Sequence, residues 1–192
     1  MQKNKNCDFK IMILGDIGVG KSNIVSRYLN CQFLGDFFTA FGQFDKPRGT
    51  QINNELHQVY LMDYTGAEDY KPFLVKEAAK CSGFIFVFSV NDFSSFQNFH
   101  YYEEIFLEAK MENECNIIAI ANKGDLNPEM WEVTTPEIID FFQKKSIKVF
   151  ITSAKTNSNI DEAINCLLRE IINGKENNRV SRQKQRFNCN IE

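Results

Sequence analysis

Histidine is scarce. Only His57 and His100 occur in 192 residues. Two imidazoles support little acid–base or metal chemistry, and both are expected to be structural. The six cysteines (Cys7, Cys31, Cys81, Cys115, Cys166 and Cys189) are scattered, with no C-x-x-C pair. That pattern argues against a thiolate metal site or a disulfide framework, and predicts reduced thiols in a cytoplasmic protein. No apolar run approaches the ~20 residues of a membrane span. The polar start, Met1 to Asn6, has no apolar core, so no secretory leader is expected. It also lacks the Met-Gly start of myristoylation. The net charge of −3 provides no broad basic field, so nucleic acid is not an expected partner. No repeat or second domain is visible, and the length suits about one domain.

What is present is an ordinary globular composition, 43% hydrophobic and 24% charged, enough to fill a core. Compact apolar runs recur at Phe9–Leu14, Val59–Asp63, Gly83–Val90, Ile117–Ala121 and Val149–Thr152, and read as strands. Ile85 to Phe88 and Ile117 to Ile120 are apolar on both parities, as in strands covered on both faces. Helical stretches lie between them. Asn23 to Leu29 is amphipathic. Thr135 followed by Pro136 predicts an N-cap and first turn opening Glu137 to Lys144. Ile160, Ala163, Ile164, Leu167, Leu168 and Ile171 recur at helical spacing, and Gly174 is expected to close that helix. Asp45 to Leu56, with Pro47 and Gly49, reads as an edge strand and turn. Strands alternating with helices predict an α/β fold with a mostly parallel sheet.

The chemistry lies where strands end. Gly15-Asp16-Ile17-Gly18-Val19-Gly20-Lys21-Ser22 reads G-x-x-x-x-G-K-S, directly after the first apolar run and before the first helix. Glycines let the backbone wrap a phosphate so that successive N–H groups point at oxygen, and the helix start adds its positive end. Lys21 can reach the outer phosphates, and the Ser22 hydroxyl can hold Mg²⁺. Asn23 opens the helix and completes the phosphate-side set. The alternative, a glycine-rich turn with a chance lysine, does not account for the strand before and the helix after.

A phosphate loop does not name the base. Asn122-Lys123-Gly124-Asp125 does. The Asp125 carboxylate only accepts, so it can take the guanine N1 and N2 donors as a bidentate, charge-assisted pair. Adenine has no such donor pair. Lys123 can lay its stem along the ring, and Asn122 can tie this loop to the phosphate loop. Alone the tetrapeptide could be a polar turn; joined to the phosphate loop it reads as a base site. Asp63-Tyr64-Thr65-Gly66 ends a further strand. Asp63 can serve the Mg²⁺ shell, and the Gly66 N–H can meet the γ-phosphate. Ser153-Ala154-Lys155 ends another, and the Ala154 N–H can donate to guanine O6. Lys21 and Gly66 are the candidate catalytic groups, because phosphoryl transfer is mostly positioning and charge stabilisation. Four strand-end loops then converge on one crevice.

This ordered set resembles a small GTPase of the Ras superfamily, over roughly Phe9 to Ile172. The detail is nearest the Ras subfamily: Asp63 to Tyr70 resembles its D-T-A-G-Q-E-E-Y, and Phe86 to Asn91 with Ser95-Phe96 and His100-Tyr-Tyr resembles the stretch after its second switch. The resemblance implies a three-layer P-loop GTPase fold with a six-stranded sheet and helices on both faces. It implies GTP/GDP exchange with Mg²⁺, GTP hydrolysis, expected to be slow here because Ala67 and Ala40 stand where the family carries glutamine and threonine, and a role in intracellular signalling or trafficking. It further implies two switch segments that meet an effector, an exchange factor and an activating protein. Phe33 falls where the family packs an aromatic against the guanine.

The departures matter as much. Ala67 replaces the glutamine that orients attacking water. Ala40 replaces the switch threonine that ligates Mg²⁺. Thr39 is its neighbour, and because the connection to Asp63 is one residue longer than in Ras, a one-residue slip would bring Thr39 to the metal. Ile17 stands where the subfamily prefers glycine, beside the path of an arginine finger. Phe37, Phe38, Phe41 and Phe44 form an aromatic stretch unlike the usual effector segment; they read as loop filler or as a partner-binding patch. The segment 175–192, beyond a domain of 1–174, carries Lys175, Arg179, Arg182, Lys184 and Arg186 and is expected to be disordered. It ends in the C-a-a-X form at Cys189, which would suggest lipidation and the cytosolic face of a membrane, although Glu192 is outside the usual final residues. A slowly hydrolysing switch and a hydrolysis-deficient, GTP-bound interaction module share every binding residue. A P-loop ATPase or kinase is disfavoured by Asn122 to Asp125.

Overall fold

The computed structural model describes residues 7–35, 46–64, 71–110 and 116–188, the stretch from 175 as backbone only. Thr39, Ala40, Gly66, Ala67, the four phenylalanines from Phe37 to Phe44, and Cys189 lie outside the described residues.

Six strands form one sheet: β1 (Phe9–Leu14), β2 (Arg48–Ile52), β3 (Glu55–Asp63), β4 (Gly83–Ser89), β5 (Ile117–Asn122) and β6 (Lys148–Ile151). Their spatial order is β2-β3-β1-β4-β5-β6. Only the β2–β3 pair is antiparallel. That pair is the expected edge strand and turn, closed by Asn53 and Asn54 at positive φ, as tight hairpins require. The helices are α1 (Lys21–Asn30), α2 (Lys71–Ala78), α3 (Phe93–Gln97), α4 (Phe99–Lys110), α5 (Thr135–Lys144) and α6 (Ile160–Asn188).

The double parity of the apolar strands is used in full. On one face Ile11, Ile13, Ile85, Val87, Ile118 and Ile120 pack with α1 and α6. On the other, Met12, Leu14, Phe84, Phe86, Phe88, Ala119 and Ala121 pack with α2 to α5. Register explains the alanines: Phe86 pairs with Ala119 and Phe88 with Ala121, so each large ring lies beside a small neighbour. Phe99 and Phe142 meet Phe86 from α4 and α5, with centroids 5.1 and 6.4 Å away. Both histidines pack against aromatic rings, His57 tilted on Phe9 and His100 edge-to-face on Phe141. Cys7, Cys31, Cys81 and Cys166 are free thiols.

β1 lies between β3 and β4, with Ile13 level with Asp63 and Leu14 with Phe86. The connection after β1 runs towards the β2–β3 side and the connection after the adjacent β4 runs towards β5, and this reversal opens a crevice at the carboxyl ends of the strands. The carboxyl ends of β1, β3, β5 and β6 all open on it.

Two helix boundaries differ from expectation. The N-cap of α5 is Thr134, not Thr135, and Pro136 falls inside the first turn. The Thr134 N–H and hydroxyl both donate to the Glu137 carboxylate, at 2.8 and 2.6 Å. These bonds hold the Glu137 carboxyl below its ordinary range. The second difference is in α6. It does not close at Gly174, and its backbone stays helical to Asn188 where a disordered tail is expected. Lys, Glu, Arg and Gln dominate that stretch and are strong helix formers, enough to carry a helix past one glycine.

Candidate functional site

The phosphate loop turns on two glycines that nothing else could replace. Gly15 has φ +149°, and a Cβ there would lie 2.0 Å from the Val87 carbonyl oxygen of β4. Gly20 has φ +100°, and its Cβ would lie 2.3 Å from Asn122 Nδ2. Both conformations suit glycine alone. The loop therefore lies flat against the strand ends and feeds straight into α1, whose first N–H groups face the crevice.

Lys21 opens α1 and is 6% exposed. Its Nζ donates to the Gly15 and Asp16 carbonyls at 2.8 and 2.7 Å, so the ammonium folds across the loop it caps. Burial lowers it to about 8, against the pull of Asp63 and Asp16. Asp16 is held from outside: Asn98 Nδ2 and the Tyr102 hydroxyl donate to its two carboxylate oxygens at 2.7 and 2.9 Å. Ile17 is 67% exposed at the rim.

Asp63, at the end of β3, has both carboxylate oxygens shut off from solvent with no completed hydrogen bond among the described residues. Burial raises this carboxyl above its ordinary range, opposed by the nearby Ser22 hydroxyl and the Lys21 ammonium. The Ser22 hydroxyl lies close enough to act on the charge but completes no bond of proper geometry. A buried, unpartnered carboxylate is costly unless something positive meets it. An acid beside a hydroxyl at a phosphate loop fits Mg²⁺, which takes one or two protein ligands and leaves the rest to phosphate and water. Among the described residues, no group of three or more His, Cys, Asp or Glu offers a metal site.

Asn122 joins three loops. Its Nδ2 donates to the Val19 carbonyl at 2.8 Å, and its Oδ1 accepts from the Ala154 N–H at 3.1 Å and the Thr152 hydroxyl at 3.3 Å. The expected tie from the base loop to the phosphate loop is therefore present. One consequence was not expected: the Ala154 N–H already has an acceptor, so guanine O6 would have to share it. Lys123 stands at φ +65°, which turns the chain to present Asp125. Asp125 Oδ1 accepts from the Ser153 hydroxyl at 2.5 Å, and Lys155 Nζ stands 4.0 Å from Oδ2. Gly18, like the other loop glycines, has positive φ.

Asn23 and Phe33 are placed by α1. Asn23 Nδ2 donates to the Gly35 carbonyl, and its Oδ1 accepts from the Leu34 N–H, at 2.9 and 2.8 Å. Asn23 therefore holds the chain that carries Phe33. Phe33 is half-buried against the α1–α6 core, with the Arg27 guanidinium 5.7 Å from its ring centroid. Sequence reading missed Arg27, Asn98 and Tyr102. Arg27 near a helix end looks like a dipole partner, and Asp16 occupies a variable motif position. Only the fold reveals what they touch.

The Ras family model matches residues 10–173 of this chain. Three curated relatives align over 162 residues, 84% of the chain. The Ras-related protein Rab-11B of Dictyostelium discoideum is 32% identical, with 73% of its own length covered. The Ras-related proteins RAB1BV of Beta vulgaris and RABE1e of Arabidopsis thaliana are 29% and 28% identical, with 75% and 74% covered.

Proposed function

The chain belongs to the Ras family, and from that premise we propose that it is a guanine-nucleotide switch that binds GTP and GDP with Mg²⁺ and hydrolyses GTP slowly. The observation that carries this reading is the Asn122 side chain, which locks the phosphate loop and both base loops into one crevice. Gly15, Gly18, Val19, Gly20, Lys21, Ser22 and Asn23 form its phosphate side. Asn122, Lys123, Asp125, Ser153, Ala154 and Lys155 form its base side, with Phe33 across the ring.

In the mechanism, the loop N–H groups and the Lys21 ammonium bind the phosphates and meet charge that grows on the transferring group. The Gly66 N–H would donate to the γ-phosphate. Ser22 and Asp63, with Thr39 as a third candidate, would hold Mg²⁺, whose charge offsets that of the phosphate oxygens. Asp125 accepts both guanine donors while Ser153 steadies it. Water is the weak point. Ala67 has no hydrogen-bonding side chain, and loss of one transition-state contact typically costs ~10²-fold in rate.

Motif detail at Asp63–Tyr70 and Phe86–Asn91 supports a place beside the Ras subfamily, while the Rab-related names of the three relatives support a trafficking role. The first switch, with Phe38 and Phe41, is the proposed effector face. Exchange factors and activating proteins would meet the same segments. Cys189 and the basic stretch before it are the proposed membrane contact; mass spectrometry showing only unmodified Cys189 in protein from its native cell would end that idea. Among the described residues, no helix is long and apolar enough to cross a membrane.

The test is chromatography of nucleotide released from purified protein, followed by a timed single-turnover assay. Guanine nucleotide and slow release of phosphate are expected. No turnover, prompted by Ala67 and Ala40, would favour a GTP-bound interaction module. A rate equal to or above that of Ras would contradict slow hydrolysis.

A further inference from the structure

Asn23 and Arg27 stand one turn apart on α1. Asn23 pins Leu34 and Gly35. Arg27 uses every nitrogen of its guanidinium: Nε donates to the Ala154 carbonyl at 2.6 Å, Nη2 to the Lys155 carbonyl at 2.7 Å, and Nη1 to the Cys31 carbonyl at 2.9 Å. Its carbon also lies 5.7 Å from the Phe33 ring centroid. One side chain therefore links the end of α1, the ring expected over the base and the loop after β6.

A peptide plane carries this further. The unit joining Lys155 to Thr156 is planar and trans, so its carbonyl and its N–H point in opposite directions. With the carbonyl held by Arg27, the N–H is aimed back into its own loop. There it donates to Ser153 Oγ at 3.1 Å. That oxygen, already accepting, gives its own proton to Asp125 Oδ1 at 2.5 Å. The chain of contacts thus runs from Arg27 through a rigid peptide and one hydroxyl to the carboxylate that faces the base. Only a forked guanidinium can hold two successive carbonyls at a fixed separation; an ammonium is a point donor on a flexible stem.

We propose that Arg27 is a positioning residue of the base pocket: it fixes the loop from Ser153 to Thr156, and through Ser153 the orientation of Asp125, so that it sharpens selection for guanine. The proposal rests on the guanine-nucleotide reading above. It goes beyond that reading by assigning part of the selectivity to a residue that touches no base.

The experiment measures equilibrium affinity for GDP and for inosine diphosphate, which lacks the exocyclic N2 amine, using the full chain. Wild type, Arg27→Ala and Arg27→Lys are compared. Wild type is expected to prefer GDP. Arg27→Ala should weaken GDP by ~10-fold or more and shrink the GDP-to-inosine preference by ~3-fold or more. Arg27→Lys keeps the charge but not the fork, and should resemble Arg27→Ala in that preference. A merely structural role would weaken both nucleotides by one factor and leave the preference unchanged; that result overturns the proposal, as does an Arg27→Lys indistinguishable from wild type. Wild type that binds neither nucleotide would instead overturn the reading of function, and this inference with it.

Discussion

Lys21 shows how a single buried charge makes binding depend on pH. Burial lowers its pKa to about 8. Phosphate oxygens would favour its charged form, so binding above that pH takes up a proton. Affinity for GDP should be flat below about 8 and fall above it by up to ~10-fold per pH unit, the limit for one proton; titration calorimetry across pH 7 to about 9, below the range where guanine N1 loses its own proton, reads this, and a flat profile would mean the ammonium does not meet the phosphates. Asp125→Asn exchanges an acceptor oxygen for a donor, and preference should move toward xanthine nucleotides, whose C2 carries an acceptor; unchanged guanine selectivity in a competition assay would show that another residue reads the base. Gly20→Ala would press a methyl onto Asn122 at a φ of +100°. The variant should lose the nucleotide that wild type retains through purification, and full retention would contradict the role given to the Asn122 tie. The motif residues were legible because each motif is local in sequence and its glycines and carboxylates have few other uses. Arg27 was not, because its two carbonyl partners in the base loop lie 127 and 128 residues away.

At the scale of elements, strands were read most securely where the pattern had no competitor. β1 begins and ends as expected, and β4 and β5 differ by a residue at one end. β3 starts four residues earlier than the apolar run, at Glu55, because pairing with β2 extends a strand through polar positions that hydropathy cannot mark. The start of α5 was misread although the signal was there: Glu137 stands three residues after Thr134, the spacing of a capping box, and Thr135 lacks it. The end of α6 was misread because glycine was weighed as a stop signal without the helix formers that follow. Gly174 within a running helix makes a clear prediction. Gly174→Ala should stabilise the protein by up to ~1 kcal/mol, seen as a higher thermal midpoint. A lower midpoint would mean that the helix does close there.

For the molecule as a whole, two apolar layers hold the sheet so that four strand ends meet at one edge. Phe86 lies at the centre of the layer under α2 to α5, in contact with Phe88, Phe99, Tyr102 and Phe142. Phe86→Ala should cost ~3–5 kcal/mol in denaturant unfolding, while a loss below ~1 kcal/mol would show that the ring cluster is not a main support. The α/β architecture and the convergence of loops were readable from order alone, because alternating strands and helices allow few connections. The crevice itself required the fold, since the burial of Asp63 beside Ser22 and Lys21 and the bonded Ala154 N–H appear only when distant loops are brought together. The most direct measurement is an equilibrium competition on protein stripped of bound nucleotide: labelled GDP is bound and then challenged with GDP, GTP or ADP. The two guanine nucleotides should displace it near equivalence and ADP should fail even at ~10³-fold excess; displacement by ADP at similar concentration, or no uptake of GDP at all, would contradict the account.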